Sequence, residues 1–254
     1  MKTITFPVGY RPTYLTQFLN YLKGYDLSDY KIICSAENSP PCISILETCG
    51  LPLTILRKPN SSGVRSHSGA RDNMYNVLSY AFNSGSEFNV HLEDDFLLAP
   101  DVFYLVDWYY RNFKDKPLTY MSYGLFNHES RGEDYAALEI INVFEGLGWC
   151  TFKEGWELCF DKNWYDDTYA RKHFNTYGWD WAVSGSFLEF GYKGIRPLIA
   201  RTNHGGRIDG TCCTAAHHDK HYGNLKWNKT EIVKEFRLAE DPNRDDKSVI
   251  GAIM

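Results

Sequence analysis

An α/β fold built on a mainly parallel sheet, with helices on both of its faces, follows from three observations on the sequence. Over residues 3–113, apolar runs of strand length alternate with segments whose apolar residues recur at helical spacing. Gly, Pro and Ser punctuate the junctions between them. One strand-like run ends in three consecutive carboxylates, Glu93, Asp94 and Asp95. In a parallel α/β sheet the carboxyl ends of the strands are where ligands bind.

Residues 3–8 read as the first strand. Pro12 opens a helix over residues 12–23, where its missing N–H costs nothing, and Leu15, Phe18, Leu19 and Leu22 share one face. Residues 30–35 form a short apolar strand, residues 40–49 a helix and residues 51–56 a third strand. Ser and Gly dominate residues 60–69, which predicts a flexible loop. The helix after it presents Met74, Val77, Leu78 and Ala81 to the core. Val90 and Leu92 then alternate with polar neighbours into the acidic triplet. Ala99, Pro100 and Asp101 turn the chain into a helix carrying Val102, Leu105, Val106 and Tyr109. The second half is less regular. Residues 118–123 predict a strand, residues 127–135 a polar loop, and residues 144–190 a region crowded with Gly and Trp. Residues 201–229 are loop-rich, and a charged tail follows Glu240. No repeat or linker interrupts the chain, so a single domain is expected over residues 1–254.

A chain of 254 residues with 43% hydrophobic and 23% charged residues has the composition of a soluble globular protein. Its net charge of −5 argues against wholesale wrapping of nucleic acid. Eighteen Tyr and seven Trp fill cores, and such rings also line sugar and base sites. The seven Cys are odd in number and form no CxxC pair, which points to reduced, mostly buried thiols in a cytosolic compartment. Cys212 and Cys213 beside His217 and His218 come nearest to a zinc spacing. The N-terminus enters strand-like sequence directly, with no secretory apolar region and no membrane-spanning stretch. A cytoplasmic protein without a membrane anchor is the expectation.

Three adjacent carboxylates repel one another, so a fold that keeps them together supplies a cation. Oxygen ligands suit Mn2+ or Mg2+, and such an ion suits a phosphate-bearing substrate. A solvated acidic turn is the alternative reading.

Further motifs follow the triplet in order: Ala99, Pro100 and Asp101 behind it; Gly146, Leu147, Gly148 and Trp149; Trp179 and Asp180; Ile195, Arg196 and Pro197; Arg201 and Thr202. Over about residues 5–210 this series resembles the inverting N-acetylglucosaminyltransferase I family of glycosyltransferases. The fold so implied is GT-A, a Rossmann-like α/β arrangement with an irregular C-terminal acceptor region. Residues 1–113 become the nucleotide-sugar-binding half, residues 114–240 the acceptor-binding half and residues 241–254 a tail. The activity implied is metal-dependent transfer of a sugar from a UDP-sugar to an acceptor hydroxyl, with inversion. By resemblance Asp95 is the ligand of Mn2+ (or Mg2+), while Glu93 and Asp94 place the ribose, the sugar or metal-bound water. Arg11 stands where the family binds phosphate, and Glu37 where it uses an Asp to accept from the uracil N–H. Asn73 lies near the family's ribose-contacting His. Gly146, Leu147, Gly148, Trp149, Trp179 and Trp181 fall in the sugar-binding region.

Asp180 is the implied catalytic base. Inverting transfer needs a carboxylate that takes the acceptor hydroxyl proton, and flanking Trp179 and Trp181 would raise its pKa and stack on a sugar. Asp166 and Asp167, beside Trp164, form a rival aromatic–acid motif, and an Asp at a helix start also reads as a cap. GT-A enzymes often add a C-terminal His to the metal. His204, His217, His218 and His221 are available, but an exposed His cluster is ordinarily solvated, and none is assigned.

The family's animal members are membrane-anchored Golgi proteins. A compact chain without anchor or stem suits a microbe or virus, with a glycan, lipid, protein or hydroxymethylated phage DNA as acceptor. Arg201, Arg207, Lys220, Tyr222, Lys226, Trp227 and Lys229 could follow a DNA backbone, or could belong to a solvated loop. Two other classes are weighed. A non-catalytic sugar- or nucleotide-binding module need not keep both Asp95 and Asp180. A nucleotidyltransferase should carry a Gly-rich phosphate loop with a Lys where Gly9, Tyr10, Arg11 and Pro12 stand.

Overall fold

Both faces of the first strand, β1 (Lys2–Val8), are covered, as in a parallel sheet packed between layers. Ile4, Phe6 and Val8 are fully buried, and so are Thr3 and Thr5, whose hydroxyls need partners there. Asn89 supplies them, accepting from Thr3 at 2.7 Å and donating to Thr5 at 2.9 Å. The computed structural model describes residues 1–57, 67–208 and 214–239, with residues 67 and 68 described by backbone alone. Most of the Ser/Gly stretch expected at 60–69, Cys212, Cys213 and the charged tail lie outside the described residues.

Two compact units emerge, Met1–Leu98 with Asn203–Asn224 and Ala99–Thr202 with Leu225–Met254. The first runs β1, α1 (Pro12–Leu22), β2 (Tyr30–Ala36), α2 (Pro40–Thr48), β3 (Leu53–Arg57), α3 (His67–Asn83), β4 (Phe88–His91) and β5 (Phe96–Leu98). Leu15, Phe18, Leu19 and Leu22 form the buried stripe of α1, as the spacing requires. Strand β3 starts two residues later than expected, because Leu53 N–H closes a turn onto the Leu51 carbonyl. The sheet order is β4-β1-β2-β3, and all three pairings are parallel. The chain therefore builds to one side of β1, then crosses over and adds β4 on the other. That reversal between β1 and β4 is a topological switch point, and the crevice beyond it is the preferred ligand site of such sheets.

In the second unit come α4 (Val102–Phe113), β6 (Ser122–Gly124), β7 (Ala137–Ile141) and β8 (Trp149–Phe152). Next are α5 (Lys153–Gly155), a π-helical turn at Trp156–Phe160, α6 (Asp161–Asn163), α7 (Thr168–Phe174), α8 (Trp179–Phe190) and β9 (Gly194–Pro197). Strand β10 (Thr202–His204) pairs with β5, and α9 (Ala215–His221) follows in the first unit. Strand β11 (Arg237–Leu238) closes the second, whose order is β11-β7-β9-β6-β8. Here β7/β9 and β6/β8 are antiparallel, so this part is mixed. The strand expected over 118–123 shrinks to β6, because a turn from Lys116 to Thr119 holds that stretch back and Leu118 stays exposed. No described helix is long and apolar enough to cross a membrane.

Two buried arginines organise the second unit. Arg201 Nε donates to Asp101 at 2.9 Å, its other nitrogens reach the carbonyls of Ile199 and Tyr135, and Asn228 Nδ2 adds a 2.8 Å bond to Asp101. Burial raises the Asp101 pKa and Arg201 opposes it. Arg196 donates to Glu139 at 2.7 Å, to Glu129 at 2.8 Å and to Glu145. Asp101→Ala would strand the buried Arg201 charge, so it should cost about 3–5 kcal/mol in urea unfolding. Replacing both partners by apolar residues should recover most of that loss.

Burial also holds His91 neutral, pushing its pKa from 6.5 down to about 3. Below pH 6.5 the unfolded chain takes up a proton that the folded chain refuses. Stability present above pH 6.5 should therefore fall towards pH 3 by about 1.4 kcal/mol per unit. Urea melts on the acid side of pH 6.5 should show this slope, and His91→Gln should flatten it.

Candidate functional site

The carbonyl of Val8, last residue of β1, ties three elements together. It accepts from Glu37 N–H beyond β2 at 3.0 Å and from Asn73 Nδ2 on α3 at 3.4 Å. The chain then leaves β1 through Gly9, whose N–H donates to Asp94 Oδ2 at 2.9 Å. Arg11 Nη2 donates to Asp94 Oδ1 at 2.5 Å, and Nη1 donates to Asp95 Oδ2. The switch-point crevice is thus occupied by one guanidinium bridging two adjacent carboxylates. Asp94 is 1% exposed and Asp95 2%, so the electrostatics here are those of an interior.

Charge does not balance. Two carboxylates face one arginine, and the nearest histidine does not help, because burial lowers the His204 pKa against the pull of Asp95. Burial likewise raises the Asp94 pKa, with Arg11 opposing it and Asp95 adding to it. Burial disfavours the Arg11 charge, yet Asp94, Asp95 and Glu93 together hold its pKa above normal. Asp95 Oδ1 is buried without a hydrogen-bond partner among the described residues. A buried carboxylate oxygen left open in a locally negative site fits a cation. Among the described residues no group of three or more His, Cys, Asp or Glu gathers to hold one.

A returning segment closes against Asp95. Gly205 N–H donates to the Asp95 carbonyl at 2.8 Å. His204 Nε2 lies 3.4 Å from Asp95 Oδ2, and Gly206 N–H donates to His204 Nδ1 at 3.1 Å. A Cβ on Gly206 would overlap Asp95 Oδ2 and come within 2.7 Å of His204 Cε1 and 3.1 Å of Arg11 Nη1. Sequence reasoning left His204 unassigned and passed over Gly206. The Gly205–Gly206 pair directly after a His was the available signal.

The second unit presents Asp180. It is an exposed residue in the first turn of α8, where Trp181 N–H and its own N–H favour the anion, but the bulk around its carboxyl dominates and raises the pKa. Gly178 before it has φ of 132°, and a Cβ there would lie 3.0 Å from Asp180 Oδ1. Gly178 N–H donates to Asp167 Oδ1 at 3.1 Å. Asp166 accepts from Thr168 N–H and Oγ1 at 3.0 and 2.6 Å. Both rival carboxylates therefore have local hydrogen-bonding tasks. Trp179 stacks on buried Trp164 with centroids 4.3 Å apart, and Trp181 meets Phe174 edge-on at 4.9 Å. A Cβ on Gly146 would approach Trp179 to 3.2 Å, and the Leu147 carbonyl accepts from Thr202. Gly148 takes φ of 78°. Trp149 is fully buried and stacked on Phe160, so it forms core beneath this region.

No family model matches the sequence, and no curated protein does. Solved structures do. Mannosyltransferase PcManGT from Pyrobaculum calidifontis, in complex with GDP-Man and Mn2+, aligns at 14% identity over 77% of this chain and 54% of its own, with a TM-score of 0.48. S. aureus TarS 1–349 aligns at 11% over 77% and 57%, with a TM-score of 0.48. TarS 1–349 in complex with UDP-GlcNAc aligns at 13% over 53% and 37%, with a TM-score of 0.37. This chain spans about half the length of these structures or less.

The basic residues of the 201–229 stretch are largely committed within the protein. Arg201 is buried on Asp101, Arg207 forms a bidentate pair with Asp219 at 2.7 and 2.8 Å, and Lys226 donates to the Gly132 carbonyl. Tyr222 is buried against His204, and Lys229 lies over Trp227. The expectation that these residues follow a DNA backbone gains no support from such an arrangement.

Gly206→Ala should separate cation binding from folding. Overpacking of this kind costs about 1–3 kcal/mol. Wild-type protein at Mn2+ of about 100 times Kd should gain about 2.7 kcal/mol of stability. The variant should still melt cooperatively but gain nothing from Mn2+ in the same thermal-shift series.

Proposed function

We propose that the chain is a metal-dependent GT-A glycosyltransferase that moves a sugar from a UDP-sugar to an acceptor hydroxyl with inversion. The observation that carries this reading is the buried Arg11–Asp94–Asp95 cluster at the switch point, one positive charge short. Asp95 would hold the cation through its open Oδ1. When bound, a divalent ion supplies Lewis-acid stabilisation of the charge that develops on the leaving diphosphate. The ordered motifs that resemble the N-acetylglucosaminyltransferase I family support the same assignment.

The remaining roles are proposed on the chain's own groups. Arg11 braces both carboxylates and offers a guanidinium for which phosphate competes. Glu37 sits 9% exposed beyond β2, suited to accept from a uracil N–H, and Asn73 has an unbonded Oδ1 beside the end of β1 for the ribose. Glu93 and Asp94 place the ribose, sugar or bound water. Asp180 takes the proton of the acceptor hydroxyl as that oxygen bonds to the anomeric carbon and the bond to the diphosphate breaks, releasing UDP. Trp179 and Trp181 brace it on the sugar side. A cytosolic setting is part of the proposal. A glycan, lipid or protein hydroxyl is the proposed acceptor class.

Slow UDP-sugar hydrolysis in Mn2+ that stops on chelation is the expected basal activity. Asp95→Ala should lose metal-dependent nucleotide binding. Asp180→Asn should bind donor normally yet lose about 10²–10⁴-fold in transfer. The acid limb of the wild-type pH–rate profile should sit above the ordinary carboxylate value, because Asp180 must be ionised and its pKa is raised. Full transfer by Asp180→Asn contradicts the base assignment.

A further inference from the structure

We propose that α9 carries a cation site of its own, apart from the acidic triplet, in which His217 and His221 chelate one borderline divalent ion such as Zn2+, Ni2+ or Cu2+. The two histidines stand four residues apart on one helix, so their side chains leave the same face. Their ring centroids are 4.4 Å apart and their planes 31° apart. Two imidazoles bound to one ion through bonds of about 2.0–2.1 Å put their centroids about 4.5–5 Å apart. The pair therefore already stands at bridging distance. His217 is exposed and His221 half-buried, so an ion reaches them from solvent. A turn of either ring about χ2, which is soft for His, aims a nitrogen at it.

Nitrogen donors decide the class of ion. Imidazole suits Zn2+, Cu2+ and Ni2+, whereas Mg2+ and Mn2+ prefer the oxygens of carboxylates. Two protein nitrogens leave the ion's other positions to water. An HExxH helix presents two His at the same spacing, with a Glu after the first as general base. Here that place is held by His218, whose Nε2 donates to the His204 carbonyl at 2.8 Å. The site therefore binds an ion without hydrolytic chemistry. Its effect is mechanical. A helix of seven residues is too short to be stable by itself. Thr214 caps its first turn, accepting from His217 N–H at 3.2 Å, and an ion across His217 and His221 clamps the turn that follows. Tyr222, next in the chain, meets these two rings at 6.0 and 6.4 Å and stacks on His204 at 5.1 Å. Ion binding on α9 thereby steadies the segment that closes on Asp95.

The test uses full-length protein with Cu2+ as probe, in excess Mg2+ so that sites for hard cations are filled. Electron paramagnetic resonance should show a single Cu2+ per chain, split by two imidazole nitrogens. His217→Ala and His221→Ala should each remove that signal while still melting cooperatively, and Asp95→Ala should keep it. Zn2+ should raise the melting temperature of wild-type protein and of neither His variant. Cu2+ held equally well by wild type and by either His variant overturns the inference, and so does its loss in Asp95→Ala. Wild-type protein that binds no Cu2+ overturns it too, leaving the pair as ring stacking only. The proposed sugar transfer depends on Asp95 and not on these rings, so failure here leaves that reading standing.

Discussion

Placing two adjacent carboxylates out of water with one guanidinium between them is the constraint on which the candidate site depends. A buried carboxylate without compensation costs several kcal/mol. Arg11 answers that cost once, and Gly9 N–H adds a second bond to Asp94. Asp95 is left with one oxygen on Arg11 and one on nothing. Only a proton or a cation can supply the missing positive charge. Under the proposed function that charge is a divalent cation.

The surrounding chain is shaped by what this arrangement excludes. Gly206 must lack a side chain because Asp95, His204 and Arg11 already occupy the space. In the second unit Gly178 answers a similar demand beside Asp180, where a positive φ and a close carboxylate oxygen coincide. Arg196 and Arg201 act elsewhere in that unit, gathering loop carbonyls and glutamates around charges that water cannot reach. Their hydrogen bonds are strong because the ions they join are buried, and for the same reason no single partner can be removed cheaply.

Much of the first unit was legible in the sequence. Pro12 and the Leu15–Leu22 stripe specify α1 through local geometry, and Val90 and Leu92 lead into the acidic triplet as a strand does. Arg11 and the triplet were both singled out. Their union was not legible, because it depends on β1 and β4 lying side by side, a pairing no local pattern encodes. His204 was one of four histidines, and only the return of its segment onto Asp95 separates it from the rest. Arg201 looked like a surface cation and proved wholly buried, since its partner Asp101 lies a hundred residues away. Trp149, expected in the sugar-binding region, is wholly buried. The residues at 118–121 had strand-like composition, but a turn ahead of them decided otherwise.

The most direct test of the account is anomalous diffraction from crystals of the full-length protein grown with Mn2+ and UDP. The account predicts a manganese peak within coordination distance of Asp95 Oδ1. Crystals with UDP bound and no peak beside Asp95, Arg11 still bridging both carboxylates, would contradict it.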